Sequence, residues 1–276
     1  MSLIDNKPNI IEEIIKVSQD AGKAILDIYN KSDSDFEVKE DKSPLTKADI
    51  SSHNIIINSL KNLTPSIPII SEEGCGIPLK ERSDWKEYWL IDPLDGTKEF
   101  LKRNGEFTVN IALIRKNEPV LGVINIPAME KIFWADRDNG SHSINADGKL
   151  IKMNVEKDME GPIKIAASRS HYNNKLDSIL AELKDYELIN VGSSIKFCLV
   201  ASGEADIYIR IGPTSEWDTA AGEAIVKFAG GRVISTLGKQ ISYNKKESFL
   251  NPDFIVSKNN HLLEKILKKI ELLDFK

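Results

Sequence analysis

Leu90-Ile91-Asp92-Pro93-Leu94-Asp95-Gly96-Thr97 is the stretch on which the reading of this chain turns. Tyr88 to Ile91 is an apolar run of strand type, and it delivers a carboxylate, Asp92, at its end. Pro93 lacks an N–H, so the strand is expected to stop there as a central strand. Gly96 permits a tight turn that aims backbone N–H groups outward. Thr97 to Leu101 then predicts a short helix whose first turn faces the same spot, a seat for an anion. Two carboxylates and a phosphate cradle thus follow one another directly, and hard oxygen ligands of this kind suit Mg²⁺.

Upstream of this segment the chain reads as two helices. Ile10, Ile11, Ile14, Val17, Ala21, Ala24, Ile25 and Ile28 recur at three and four between Asn9 and Asn30, the pattern of an amphipathic helix. Lys31 to Lys42 is a charged loop or irregular strand. Thr46, with Asp49 three residues on, has the form of a capping box and predicts a second helix through Ile50, Ile57 and Leu60. Ile67 to Ile70 is a further short strand that runs into acidic residues.

Downstream, Thr108 to Ile114 and Val120 to Ile126 read as a hairpin across Arg115 to Pro119. Two more strands, Lys131 to Ala135 and Ser141 to Asn145, flank the turn from Asp136 to Gly140. After Gly161-Pro162 the elements alternate. Strands at Ile163 to Ala167, Tyr186 to Val191 and Asp206 to Ile211 are interleaved with helices at Asn174 to Leu183, Ser194 to Ala201 and Trp217 to Phe228. Short strands around Val233 and Phe254 and a helix from Asn260 to Leu273 complete the chain. The first half predicts an antiparallel sheet and the second an α/β arrangement, with a boundary near residues 158–162.

The composition is that of an ordinary globular protein: 276 residues, 41% hydrophobic and 29% charged, with 16 Gly and 11 Pro. Lys and Arg number 37 against 42 Asp and Glu, a net charge of −5, which leaves no basic excess to bind a nucleic-acid polymer. No apolar run approaches the ~18 residues of a spanning helix, and charges interrupt the first thirty residues too often for a signal peptide. Cys75 and Cys198 form no C-x-x-C pair, so neither a disulfide framework nor a thiolate zinc site is expected. The expectation is a soluble cytoplasmic protein whose only membrane contact would be peripheral, at the inner membrane.

Three more acidic positions share the strand-end or helix-start context: Glu72 after Ile69-Ile70-Ser71, Asp218 in Trp217-Asp218-Thr219-Ala220-Ala221-Gly222, and Asp49. Taken singly each has a plainer reading. Asp49 could only cap its helix, Asp218 could be an N-cap, Glu72-Glu73 could be a solvated loop, and Asp92 to Thr97 could be a well-formed turn. Taken together they predict a bound metal, because unit charges about 4 Å apart repel by roughly 4 kcal/mol at an effective dielectric of 20.

These segments resemble the inositol monophosphatase superfamily of metal-dependent, lithium-sensitive phosphatases: Glu72-Glu73, then Asp92-Pro93-Leu94-Asp95-Gly96-Thr97, then Trp217 to Gly222. Within it the likeness is greatest to the CysQ-type 3'(2'),5'-bisphosphate nucleotidases. Asp92 to Phe100, Asn104 to Asn110, Gly192 to Cys198 and Glu247 to Pro252 carry it, and it covers nearly the whole chain. The resemblance implies an α+β / α/β fold layered as an αβαβα sandwich of the inositol monophosphatase/fructose-1,6-bisphosphatase type. It implies residues 1–160 as an α+β domain with the antiparallel sheet and most metal ligands. Residues 161–276 would form an α/β domain supplying Asp218 and the nucleotide pocket.

The implied activity is Mg-dependent hydrolysis of the 3'-phosphate of adenosine 3',5'-bisphosphate to AMP and phosphate, with a place in sulfur metabolism. Two or three Mg²⁺ per chain are implied. Glu72, Asp92 and the Leu94 carbonyl would hold one, and Asp92, Asp95 and Asp218 a second, with Asp92 bridging. Asp49, Thr97 and Glu72 form the implied catalytic set, in which Asp49 pairs with Thr97 to deprotonate water. Gly96 and Thr97 would hold the phosphate, beside Glu72, Asp95 and Asp218. Lys196 and Arg210 could grip the 5'-phosphate, Ser193 and Ser194 the sugar or phosphate, and His171 the adenine. Each of these has a plainer reading as a surface or loop residue. The partner is a small nucleotide, and the chain a monomer or homodimer.

An inositol-1-monophosphate or fructose-1,6-bisphosphate phosphatase shares the metal motif and is the alternative, and a non-catalytic nucleotide or metal sensor is one of another class. A haloacid-dehalogenase phosphatase is disfavoured, because Pro93 and Leu94 put two residues between the aspartates where that family has one. P-loop and His-Glu-x-x-His motifs are absent from the sequence, and Asp136 to Gly140 lacks the EF-hand pattern.

Overall fold

The computed structural model describes residues 10–31, 36–38, 44–155, 161–169, 174–183 and 185–273. Helix α1 (Ile10–Tyr29) buries Ile11, Ile14, Val17, Ala21 and Ile25, the stripe that its spacing predicts. A ribbon of β1 (Phe36–Val38) and β2 (Pro44–Thr46) leads into α2 (Lys47–Leu63). Thr46 is the N-cap of α2, and its hydroxyl accepts from the Ala48 and Asp49 N–H groups, so the expected capping box is present.

Seven strands then follow in spatial order along the chain: β3 (Ile69–Ser71), β4 (Glu87–Asp95), β5 (Thr108–Arg115), β6 (Glu118–Ile126), β7 (Lys131–Asp136), β8 (Gly140–Ile144) and β9 (Leu150–Met153). The sheet is antiparallel apart from the β3–β4 pair. Two short helices lie within this half, α3 (Leu79–Arg82) and α4 (Thr97–Leu101). The β5–β6 connection is tighter than the sequence suggests. Only Lys116 and Asn117 lie between the strands, both left-handed (φ 51° and 64°), which matches the twist of a two-residue hairpin. Strand β9 has no counterpart in the sequence reading, because Leu150, Ile151 and Lys152 are all exposed on an edge and show no alternation.

The second sheet holds β10 (Ile163–Ser168), β11 (Tyr186–Val191), β12 (Ile207–Arg210), β13 (Arg232–Ser235) and β14 (Phe254–Ser257), in the order β11-β10-β12-β14-β13. Its helices are α5 (Asn174–Ala181), α6 (Ile195–Ser202), α7 (Glu216–Phe228) and α8 (Asn260–Leu272). Three apolar cores join five layers, the middle one packing both faces of the central helices. Ile14, Ile25, Ile56 and Leu60 of α1 and α2 meet Trp89, Ile111 and Val123 of the first sheet. Val200 and Ile225 of α6 and α7 lie between Leu90, Ile114 and Ile124 on one side and Val256 on the other. Ile179 of α5 and Leu262 and Ile266 of α8 cover Ile165 and Ile207 outside. The architecture is the αβαβα sandwich that the family resemblance implies.

Central helix α7 reaches both sheets. It sits so close to β6 that a Cβ on Gly122 would lie 2.5 Å from the Ala221 carbonyl oxygen. That contact, one helical turn beyond Asp218, fixes where the helix start stands over the first sheet.

Candidate active site

As expected, Pro93 does not sit in a central strand: β4 runs through it to Asp95, but among the described residues only as an edge. Strand β3 pairs with β4 only as far as Ile91, so the segment that follows is an edge and the missing N–H of Pro93 breaks no ladder. On the other side Asp92 pairs with Asn110 and Asp95 with Thr108, so three steps on β4 match two on β5. In an unbroken strand residues three apart face opposite ways. The bulge restores the parity, and Asp92 and Asp95 point to one side.

Asp218 meets them there. One carboxylate oxygen from each of Asp92, Asp95 and Asp218 lies within 4.8 Å of the others; Asp92 is buried, and the other two are half-buried. Burial, and then the charges of Glu72, Asp95, Asp218 and Asp49, push the Asp92 carboxyl well above the usual range. Asp218 is pushed up likewise by desolvation, Asp95 and Glu72, against the Ser215 N–H and Arg210. Such a site prefers a proton or a cation, and its donors are all hard oxygens, so the residues fit a divalent metal. Asp218 is not the N-cap of its helix. Ser215, with extended backbone, takes that place, and Asp218 Oδ2 accepts the Ser215 N–H at 2.8 Å.

Asp49 serves its helix and the site with different oxygens. Oδ2 accepts from the Thr46 N–H (2.7 Å) and hydroxyl (2.5 Å), whereas Oδ1 lies 3.3 Å from Thr97 Oγ1. Thr97 Oγ1 is also 3.4 Å from the Leu94 carbonyl. Gly96, at φ +90°, starts α4 in a conformation that other residues rarely adopt. A Cβ there would come within 3.0 Å of the Glu106 carbonyl and 3.2 Å of Ser193.

A cleft of about 380 Å³ opens on these groups; Glu72, Asp95, Gly96, Thr97 and Asp218 line it together with Ser193, Ser194, Lys196 and Arg210. The last two are buried cations. Lys196 Nζ donates to the carbonyls of Ser193 (2.5 Å) and Val191 (3.2 Å), and desolvation, aided by Arg210, lowers its pKa to about 8. Arg210 donates to the Pro213 carbonyl at 2.8 Å, while its Nε is buried with no partner among the described residues. Both thus have donors to offer a ligand anion.

Ser193 and Ser194 line the cleft, but their hydroxyls turn to Asp95. Oδ2 of Asp95 lies 2.8 Å from Ser193 Oγ, 2.7 Å from Ser194 Oγ and 2.6 Å from the Ser194 N–H. Thr108 and Asn110, which sequence reasoning gave no role, support them: Thr108 Oγ1 is 2.7 Å from Ser193 Oγ, and Asn110 Nδ2 donates to Ser194 Oγ at 3.0 Å. Their signal was two polar side chains at alternate positions of an otherwise apolar strand. Glu106 was missed too; it pairs with Arg169 and accepts the Gly192 N–H at 2.8 Å, which anchors the loop ahead of Ser193. His171 lies outside the described residues.

The model of the inositol monophosphatase family matches residues 6–273. Over 250 residues the chain is 44% identical to the 3'(2'),5'-bisphosphate nucleotidase CysQ of Salmonella typhimurium, covering 90% of this chain and 99% of that one. The CysQ of Buchnera aphidicola is 42% identical over 251 residues, 90% and 93% of the two chains. Among solved structures, CysQ of Bacteroides thetaiotaomicron, a bacterial member of the inositol monophosphatase family, superposes with a TM-score of 0.81 at 40% identity, over 92% of this chain and 99% of that one. An IMPase of Thermotoga maritima, at 23% identity and TM-score 0.77 over 96% and 98%, speaks to the fold alone. No helix among the described residues is long and apolar enough to cross a membrane. A match that runs almost from end to end, and takes in every acidic segment gathered at the cleft, places the chain in the inositol monophosphatase family.

Proposed function

We propose that this chain is a 3'(2'),5'-bisphosphate nucleotidase that hydrolyses the 3'-phosphate of adenosine 3',5'-bisphosphate. The observation that carries the reading is one cleft holding both an acidic cluster and two buried cations, Lys196 and Arg210. A monophosphate needs only the first; a second phosphate gives the cations a partner. The relatives called bisphosphate nucleotidases, above 40% identical over nine-tenths of the chain, support it.

The metals are Mg²⁺, two or three per chain. Glu72, Asp92 and the Leu94 carbonyl would hold one, and Asp92, Asp95 and Asp218 another, with Asp92 shared. When bound, such ions supply positive charge against the phosphoryl oxygens and acidify the attacking water. The protein's own groups do the rest. Ser193 and Ser194 hold Oδ2 of Asp95 and so fix the orientation of that carboxylate in the cluster. The hydroxyl hydrogen of Thr97 is directed at Asp49 Oδ1, so Thr97 Oγ1 presents a lone pair to the incoming water. It takes the water's proton as Asp49 receives its own. The new P–O bond forms opposite the bond to O3', which breaks; O3' takes a proton from a solvent water, Asp49 returns its own to solvent, and AMP and phosphate leave. Gly96 and Thr97 border the phosphate, and Lys196 with Arg210 holds the 5'-phosphate and so selects the substrate.

Phosphate release from adenosine 3',5'-bisphosphate, inositol 1-phosphate and fructose 1,6-bisphosphate, with and without Mg²⁺, tests this. The nucleotide is expected to be the best substrate, and only with metal. The Lys196→Ala variant should lose preference for it over inositol 1-phosphate by about tenfold or more. An unchanged ratio would refute the assignment of Lys196, and inositol 1-phosphate as the best substrate would refute the reading as a whole.

A further inference from the structure

Arg82, the last residue of α3, is fully buried, yet the chemistry above makes no use of it. Its guanidinium works as a clamp. Nε donates to the Ile77 carbonyl (3.0 Å), in the stretch that follows Glu72 in the chain, and one terminal nitrogen donates to the carbonyls of Lys246 (3.0 Å) and Glu247 (2.7 Å). The other terminal nitrogen donates to Asn244 Oδ1, and the guanidinium carbon lies 4.1 Å from the centre of the Phe249 ring. Asn244 answers by donating its side-chain amide to the Arg82 carbonyl at 2.7 Å and its backbone N–H to Glu216 at 2.9 Å.

The far end of the same strip is also tied down. Asn251 donates through Nδ2 to the Ser215 carbonyl (2.7 Å), the Glu216 N–H donates to the Phe249 carbonyl (2.8 Å), and Leu250 bridges to Ser215. Between these ties lie Phe249, tilted against Trp217 with ring centres 5.2 Å apart, and Leu250, which lines the cleft and is 49% exposed. Trp217 and Leu250 give one side of the cleft an apolar face close to the acidic cluster, and a purine ring can rest on such a face.

We propose that Arg82 is a positioning residue for substrate: by clamping residues 244–249 it holds the Trp217–Leu250 wall at the distance that fits the nucleoside beyond the reacting phosphate. The inference rests on the nucleotidase reading. It assigns Arg82 no contact with substrate and no part in the chemical step. A lysine there keeps the charge but loses the planar fork that reaches three backbone carbonyls and the Asn244 side chain at once. Asn244 is left-handed (φ 57°), so Asn244→Gly removes the amide link without straining the backbone.

The test uses the full chain with Mg²⁺ and compares wild type, Arg82→Lys and Asn244→Gly. Steady-state kinetics on adenosine 3',5'-bisphosphate are measured alongside inhibition by each product, AMP and inorganic phosphate, with thermal melting as a check on folding. In each variant KM and the AMP inhibition constant should rise about tenfold, while kcat and the phosphate inhibition constant change less than about threefold. A purely structural role would weaken AMP and phosphate alike, or lower the melting temperature with KM unmoved. Either result in a folded variant overturns the proposal; Asn244→Gly decides it if Arg82→Lys does not fold. Wild-type protein inactive on the bisphosphate would instead sink the nucleotidase reading itself.

Discussion

Replacing Asp92 by Asn should make the metal-free protein more stable while destroying its activity. Asp92 is buried among Asp95 and Asp218, with carboxylate oxygens within 4.8 Å. At that separation and an effective dielectric of 20, each like-charged pair costs about 3.5 kcal/mol. The raised pKa of Asp92 means that a proton already relieves part of this repulsion, so the gain from a neutral amide is smaller than the summed pairs, about 1 to 3 kcal/mol. The amide keeps the one acceptor that the turn needs, since Asn Oδ1 can take the Leu94 N–H that Asp92 Oδ1 accepts at 3.1 Å. Melting in EDTA at pH 8 should therefore rise by roughly 2 to 6 °C. Saturating Mg²⁺ should raise the melting temperature of wild type and leave the variant where it was. Turnover should fall by about 10³ or more. A variant less stable than wild type in EDTA, or equally stabilised by Mg²⁺, would refute the claim that Asp92 is a strained carboxylate waiting for a cation.

The same carboxyls, held up by burial and by one another, must shed protons when metal enters. Calorimetric titration with Mg²⁺ in buffers of different ionisation heat should show proton release, with affinity falling as pH drops; binding indifferent to pH would count against the cluster. Glu223 is buried, accepts from Tyr243 Oη at 2.7 Å, and has its pKa raised by burial to about 7. Between its ordinary value and 7 the folded chain keeps a proton that the unfolded chain has lost, so this group's contribution to stability is full at pH 4 and falls as pH rises through 7. The loss amounts to up to about 3 kcal/mol. Glu223→Gln should melt higher than wild type at pH 8 and near it at pH 4.5; a lower melting temperature at both pH values would contradict this. Gly122→Ala drives a methyl into the Ala221 backbone, so it should cost about 1 to 3 kcal/mol and lower melting by several degrees. Melting at the wild-type temperature would mean that α7 can back away.

Where local chemistry dictates structure, reading the chain succeeded. The stripe of α1 and the Thr46–Asp49 box of α2 follow from periodicity and a capping pattern, and both stand in the structure. Strand β9 escaped because an exposed edge carries no alternation; the proline rule held for β4, which loses its β3 partner after Ile91, but the apolar run alone could not show that the strand goes on to Asp95 as an edge. The acidic side chains could be named from their segments, but their meeting depends on a bulge and on a helix from the other half of the chain. Arg82 was invisible for the same reason. Its partners Asn244, Lys246 and Glu247 lie more than 160 positions away, at a range where spacing carries no information.

The bulge in β4 has a bearing on which insertions and deletions this segment can survive. Side-chain facing along a strand is an odd-or-even property, with no intermediate value. Removing Pro93 or Leu94 singly would leave two steps against two, and both aspartates would still face one way on an ordinary ladder, but the backbone kink that carries Asp95 toward Ser193 and Ser194 would vanish. Adding one residue would put Asp95 on the apolar side, among the side chains that α1 and α2 cover. Length at this point is thus constrained in both directions, by geometry on one side and by burial of a charge on the other. A library that varies the identity of residues 93 and 94 should yield active clones, while one that varies their number should yield none.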